Sequence, residues 1–343
     1  MMKIAVNTEE NMKSKSKYIM NFKSVIDLFA NANIPNTYNI TSLGAGEFNS
    51  IYAADSEGKA YVIKIAPVDI ARILTYENDM MQQEVYYYSL LNKRTTIQLP
   101  KIYYSDFSCI NNPSSYFIME KLSGTEINRI KLTSEEKASV TKKTVEMVAQ
   151  IHSIKGERYG YRQNGLYDNW YLALSSMVNN LIKDCHRFNR SARNGELLLH
   201  YIQQNQLLLE KVESCLVNFD IWPPNIFCTK ENGELKLTLI DLERCFWGDR
   251  ISDFVCLDFM NLSLDHKQKA IELYNKKSDS PLIVTDNERI RYAIMLGYLG
   301  LIMEVEKYAR YTPFHFGWWR NVAVSKLLFR KSFSQLEKLS FPV

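Results

Sequence analysis

Apolar positions along this chain change period twice, and the changes mark out its elements. Ile26, Leu28, Phe29 and Ile34 predict a short amphipathic helix before Asn36. From there the pattern shortens. Tyr38–Ile40, Ser50–Ala53 and Ala60–Ile65 read as three strands, parted by a glycine-containing turn and by Asp55-Ser56-Glu57-Gly58. Met80, Met81, Glu84, Val85, Tyr88 and Leu91 then recur at helical spacing within Glu77–Asn92. Lys101–Ser105 and Ser115–Met119, split by Asn111-Asn112-Pro113, add two strands. The first third is thus a small sheet with one inserted helix.

After Gly124 the chain turns mainly helical. Thr133 and Glu136 form a capping box that opens a helix running to Ile154, with Val140, Thr144, Val148 and Ile151 along one face. A second helix is expected over Asn169–Phe188, and helices again from Asp265 onward. One hairpin interrupts them, Asn225–Asp241. Leu235, Leu237 and Leu239 alternate with polar residues there, and Asn232-Gly233 supplies a tight turn. The expected fold class is α+β with two lobes: residues 1–121 as a β-rich lobe and 122–343 as a mainly helical one, joined near Lys121–Gly124.

Composition narrows the partners. At 343 residues each lobe can bury its own core. A net charge of +4, dispersed along the chain, argues only weakly for an anionic partner, and no Lys/Arg tract suggests nucleic acid. Met1–Glu10 lacks the apolar stretch of a secretory signal. The apolar run Ala293–Met303 is far shorter than the roughly 20 residues of a membrane span, so it reads as a buried helix. The six cysteines (109, 185, 215, 228, 245 and 256) have no zinc-site spacing and read as reduced thiols. The expectation is a cytoplasmic protein with no membrane partner, monomeric or homodimeric.

Phosphoryl transfer needs a cover for the phosphates, a cation on them, metal ligands and a base near the acceptor hydroxyl. Leu43-Gly44-Ala45-Gly46-Glu47-Phe48-Asn49-Ser50 joins two strands and could present backbone N–H groups to phosphate, making Gly44, Gly46, Asn49 and Ser50 nucleotide candidates. Lys64 follows by one hairpin, where a phosphate-binding lysine belongs. Glu84 could hold it by an ion pair, with Glu77 as the rival. Asp220 and Asn225 stand five residues apart in a proline-stiffened loop leading into the hairpin, whose far end delivers Ile240-Asp241-Leu242-Glu243. Asp220 is then the candidate base, and Asn225 and Asp241 are the candidate magnesium ligands.

These motifs resemble those of the aminoglycoside phosphotransferase superfamily, which also holds choline, homoserine and fructosamine kinases. Its loop, His-Gly-Asp-x-x-x-x-Asn, is answered by Asn218-Phe219-Asp220 and Asn225; its Ile-Asp-x-Glu by Ile240 to Glu243; its Gly-Asp-x-x-x-Asp by Gly248, Asp249 and Asp253. Ala149-Gln150-Ile151-His152 matches its helix motif, with His152 taken as structural. The resemblance covers about Tyr38 to Asp258. It implies a bilobal protein-kinase-like fold and ATP, or GTP in its place, with magnesium. It also implies a hinge at Phe117–Leu122 where backbone groups of Glu120 and Leu122 would meet adenine. Asn218 and Phe219 depart from the motif's histidine and glycine.

The implied partner is a small hydroxylated acceptor. An aminoglycoside or other amine-bearing natural product is one class, making the protein a resistance or self-protection kinase. A metabolic amino alcohol, sugar or ketosamine is the other, and an inactive kinase-like structural protein is the non-enzymatic alternative. Asp168, Asp184, Asp249 and Asp253 could neutralise an amine, and Tyr167, Trp170, Trp247, Trp318 and Trp319 could stack on a ring. Asp168, Trp170, Glu243 and Asp249 are the acceptor candidates retained.

Overall fold

Helix α1 (Phe22–Asn31) opens with Asn21, whose side chain accepts the Ser24 N–H at 2.9 Å, and ends before Ile34, which follows it in the loop. A computed structural model describes residues 18–44, 48–110, 112–231 and 233–340 of the chain. Strands β1 (Tyr38–Ser42), β2 (Ser50–Ser56) and β3 (Lys59–Ile65) form a meander. Glu57 and Gly58 both take positive φ in the β2–β3 turn, the geometry that matches strand twist in a two-residue hairpin. Helix α2 (Met80–Arg94) follows, then β4 (Ile102–Asp106) and β5 (Tyr116–Glu120). The five strands make one antiparallel sheet ordered β1-β2-β3-β5-β4. Ile63 and Ile65 pack with Val25, Leu28 and Phe29 of α1, so the alternate residue Lys64 faces the opposite side.

The expected start of α2 at Glu77 is three residues early. Glu77 closes a separate 3-10 turn, Thr75–Glu77, because its carboxylate accepts the Leu74 N–H at 2.8 Å. After Lys121–Gly124 comes β6 (Thr125–Glu126), which pairs with the later hairpin. Gly124 is required by close approach: a Cβ there would stand 2.8 Å from the Cys228 carbonyl oxygen.

Helix α3 (Ser134–His152) carries the expected capping box. Then come α4 (Trp170–Arg187), α5 (Arg193–Gln204), α6 (Gln206–Leu209) and β7 (Cys215–Val217). The hairpin is β8 (Ile226–Glu231) and β9 (Glu234–Leu239); Gly233 has φ +83°, while Asn232 lies outside the described residues. Strand β10 (Phe246–Gly248) returns to β7, and α7 (Asp253–Cys256), α8 (Gln268–Asn275), α9 (Asp286–Arg310) and α10 (Phe316–Ser340) complete the chain. The apolar run at 293–303 is the buried middle of α9, and among the described residues no helix is long and apolar enough to cross a membrane. The molecule has the bilobal protein-kinase-like fold. Its large core runs from Tyr87, Tyr88 and Leu91 of α2 into the helical lobe, fixing one lobe on the other.

Candidate active site

The orientation of Lys64 decides the site. Its Nζ donates to Glu84 Oε2 at 2.8 Å, Asp241 Oδ1 at 2.8 Å and Glu243 Oε2 at 3.0 Å. Glu77, the rival partner, instead holds Arg310. Burial pulls the Lys64 ammonium down, but the charges of Asp241, Glu243 and Glu84 outweigh it and hold the group well above its ordinary value. Burial pushes Glu84 up, with Lys64 opposing. With one ammonium among three carboxylates, the lysine keeps its proton and the cluster keeps excess negative charge. An oxygen from each carboxylate lies within 4.8 Å of the others, a hard donor set suited to a divalent cation.

The β7–β10 pair, Val217 opposite Phe246 and Cys215 opposite Gly248, brings the loop after β7 beside the segment after β9. Asp253 shapes that loop: its Oδ2 accepts the Asn218 N–H at 3.1 Å and its Oδ1 the Phe219 N–H at 2.6 Å. His152 Nε2 lies 2.9 Å from Asp253 Oδ2 and its Nδ1 3.1 Å from the Tyr274 hydroxyl, a buried brace. Asn218 Oδ1 accepts the Asp220 N–H at 3.0 Å, an Asx turn that stiffens the loop in place of the motif's histidine. Phe219 has φ +56°, the left-handed region that explains a glycine at this position of the motif. Its ring is fully buried, with centroids 5.4 Å from Phe246 and 5.6 Å from Tyr298. The added bulk therefore fills the core and leaves the cleft clear.

Asp220 Oδ2 accepts Asn225 Nδ2 at 2.9 Å, and the same nitrogen reaches the Asp220 carbonyl at 3.0 Å. The amide nitrogen of Asn225 is thus engaged, and its carbonyl oxygen is the end left for a cation. The Ile240 N–H donates to the backbone carbonyl of Asn225 at 2.9 Å, which sets Asn225 beside Asp241. Asp241 has φ +62° and gives its N–H to the Tyr88 hydroxyl of α2 at 2.9 Å. Burial pushes the Asp220 carboxyl up to about 7; Arg244 and the Asn225 hydrogen bond pull it down, while Asp241 and Glu243 push it further up.

Around this centre the remaining candidates divide. Asn49 is buried, donates to Glu243 Oε2 at 3.0 Å, and among the described residues its Oδ1 has no partner. A Cβ on Gly44 would meet nothing within 4 Å, and Gly46 lies outside the described residues. Ser50 is corrected: its hydroxyl donates to the Tyr18 carbonyl under α1, away from the cleft. Glu120 gives its N–H to the Lys101 carbonyl at 2.8 Å, so it can offer adenine only its own carbonyl; Leu122 is half-buried.

Two acceptor candidates are also corrected. Trp170 is 1% exposed and stacked on Phe246 with centroids 5.6 Å apart. Asp249 is 1% exposed, bound to Arg291 at 2.8 Å and to the Ile251 N–H at 3.0 Å. Both brace the lobe. Asp184 does likewise, bonding Thr75 and Arg187. Asp168 is exposed and paired with Arg158 at 3.3 Å, whereas Glu243 lines the cleft. Sequence reasoning missed Tyr88, which had only the look of a core residue, and Trp222, a 46% exposed ring two residues after Asp220.

Comparison with known proteins agrees with this architecture. A search of curated proteins finds no match. Among solved structures, the chain is similar to a protein of Haemophilus somnus 129PT provisionally named a fructosamine-3-kinase (18% identity, 91% of this chain and 97% of that one, TM-score 0.63). It is also similar to one of Ralstonia eutropha JMP134 provisionally named an aminoglycoside phosphotransferase (14%, 93% and 98%, TM-score 0.62). A third is the aminoglycoside phosphotransferase APH(2″)-IIa, solved in a streptomycin–ATP ternary complex (18%, 93% and 97%, TM-score 0.57). At these identities the likeness is one of fold. Residues 39–266 match the model of the phosphotransferase enzyme family. The chain therefore belongs to the phosphotransferase enzyme family, and is a phosphotransferase of the protein-kinase-like small-molecule kinase superfamily.

Proposed function

We propose that this enzyme transfers the γ-phosphoryl group of ATP to a hydroxyl of a small polyol or ring-bearing acceptor, with magnesium. The convergence of Lys64, Asp241, Asn225 and Asp220 on one cleft carries this reading. Lys64 would hold the phosphates, kept charged by Glu84 when nucleotide takes the place of the other two carboxylates. The Asn225 carbonyl oxygen and Asp241 would hold the metal, which when bound offsets the negative charge of the phosphates. Asp220 is half-buried with one oxygen held by Asn225, so its other oxygen would orient an acceptor hydroxyl and take its proton. Asn49, whose buried Oδ1 has no hydrogen-bond partner among the described residues, is a further group that a bound nucleotide could meet.

Of the acidic and aromatic residues expected to greet a polyamine, Asp184, Asp249, Asp253 and Trp170 are turned inward. This favours an acceptor with at most one or two amines, a metabolic sugar, polyol or ketosamine, over a polycationic aminoglycoside. The similarity to a fructosamine-3-kinase is consistent with that. A solved relative with AMP-PNP and hygromycin B supports nucleotide use while keeping the antibiotic class in the screen. The test is release of ADP, from ATP and from GTP controls, across sugars, polyols, ketosamines and aminoglycosides. Acceptor-dependent release with a polyol or sugar is expected; release with aminoglycosides alone would reverse the acceptor assignment.

A further inference from the structure

Asp241 sits just beyond β9, whose pairing with β8 stops at Leu239. With no strand to receive it, the Asp241 N–H is taken by the hydroxyl of Tyr88 at 2.9 Å. The backbone there has φ +62°, the left-handed region that a residue with a side chain keeps only where its surroundings hold it. Tyr88 is built to do the holding. It is 1% exposed in the large core, its ring edge-on to Phe117 with centroids 6.4 Å apart, so its oxygen stands in a fixed place. One helical turn earlier on α2, Glu84 accepts from Lys64 Nζ at 2.8 Å, and the same Nζ donates to Asp241 Oδ1 at 2.8 Å. A closed circuit results, Glu84 to Lys64 to Asp241 to Tyr88, with both ends on one helix.

We propose that Tyr88 is a positioning residue, whose hydroxyl fixes the Asp241 backbone so that the carboxylate is held ready for the metal of a bound nucleotide. This rests on the kinase reading above. The two bonds from α2 divide the work. Glu84 holds Lys64, which would meet the phosphates with or without a metal. Tyr88 holds Asp241, which would matter to the nucleotide through the metal. Without the hydroxyl, the Asp241 N–H loses its partner and the left-handed turn its hold, so the carboxylate is no longer kept in one place. The magnesium-dependent part of nucleotide binding should then weaken while the rest is spared.

Calorimetry with AMP-PNP reads this as a ratio, the affinity at saturating magnesium over the affinity without it. Tyr88→Phe keeps the ring and removes one oxygen. Tyr87→Phe is the control, because Tyr87 is the next residue on α2, fully buried, and its hydroxyl has no partner among the described residues. Tyr88→Phe should lower the ratio about fivefold or more, the scale of one hydrogen bond, and leave magnesium-free affinity within about twofold of native. Tyr87→Phe should leave both as they are in the native protein. The proposal is overturned if Tyr88→Phe keeps the native ratio, if its affinity falls equally with and without magnesium, if Tyr87→Phe lowers the ratio as much, or if the native ratio is itself near one. Should thermal melts show that Tyr88→Phe has not folded, amide hydrogen exchange in the native protein decides. Binding is reciprocal, so protection of the Asp241 amide should rise when magnesium is added to the AMP-PNP complex; an unprotected amide, or protection indifferent to magnesium, overturns the proposal. Failure of the native protein to bind AMP-PNP at all would sink the kinase reading and not this step alone.

Discussion

Replacing Phe219 separates two opposing effects at the catalytic loop. The ring is fully buried against Phe246 and Tyr298, so truncation to alanine should cost about 3–5 kcal/mol. The backbone at φ +56° disfavours any side chain by about 1–2 kcal/mol, and alanine keeps that strain. Glycine relieves it, but adds about 0.4–1 kcal/mol of unfolded-chain freedom. Phe219→Gly should therefore be equal to Phe219→Ala or more stable by up to about 1.5 kcal/mol. Phe254, equally buried but in helix α7, is the control. There glycine should be worse than alanine by about 1 kcal/mol. Urea denaturation midpoints of the four variants read both orders. The Asp253 carboxylate accepts from the backbone N–H of Phe219, a bond that survives in both variants, so the loop itself should persist. If glycine falls clearly below alanine at Phe219, as at Phe254, the strain argument fails, and with it the account of why this loop tolerates phenylalanine.

Other outcomes follow from the same geometry. Asp220→Asn should lower turnover by about 10²–10⁴ and leave nucleotide affinity nearly unchanged; near-normal turnover would remove Asp220 from the role of base. Because the base must be ionised and burial sets it near 7, native activity should rise with pH through about 7 and then level. The same shift has a stability consequence. A carboxyl raised on folding holds its proton in the folded state, so its contribution is present at low pH and lost as pH rises through about 7. Asp220→Asn should thus gain on the native protein between pH 5 and pH 8 by on the order of 1–3 kcal/mol, read from melts at both values; a gap constant with pH contradicts this. Asp253→Ala strips the acceptor from two loop N–H groups and from His152, and should cost about 3 kcal/mol or more, with turnover falling alongside in denaturation and rate assays.

Much of the architecture was written in periodicity. The long helices, the hairpin with its alternating leucines and the five strands of the sheet all show a repeat extended enough to read. Strands β7 and β10 span three residues each, too few for any period, yet their pairing is what sets the loop beside Asp241. Residue type named Lys64, Asp220, Asn225 and Asp241, because phosphoryl transfer restricts which groups can serve. It could not tell Glu84 from Glu77. That choice depends on Arg310, which claims Glu77 from 233 positions away. Asp249 and Trp170 misled for the same reason: a polar or aromatic residue looks alike in a cleft or a core until its partner, here Arg291 or Phe246, is known.

The central claim is that the cluster around Lys64 and Asp241 receives a metal-bound nucleotide. Calorimetric titration of AMP-PNP, with and without magnesium, into the native protein and into Asp241→Ala tests it most directly. The account predicts binding that weakens about tenfold or more when either magnesium or the Asp241 carboxylate is removed, a change of about 1.4 kcal/mol or more. Absence of nucleotide binding, or binding indifferent to both, would contradict it.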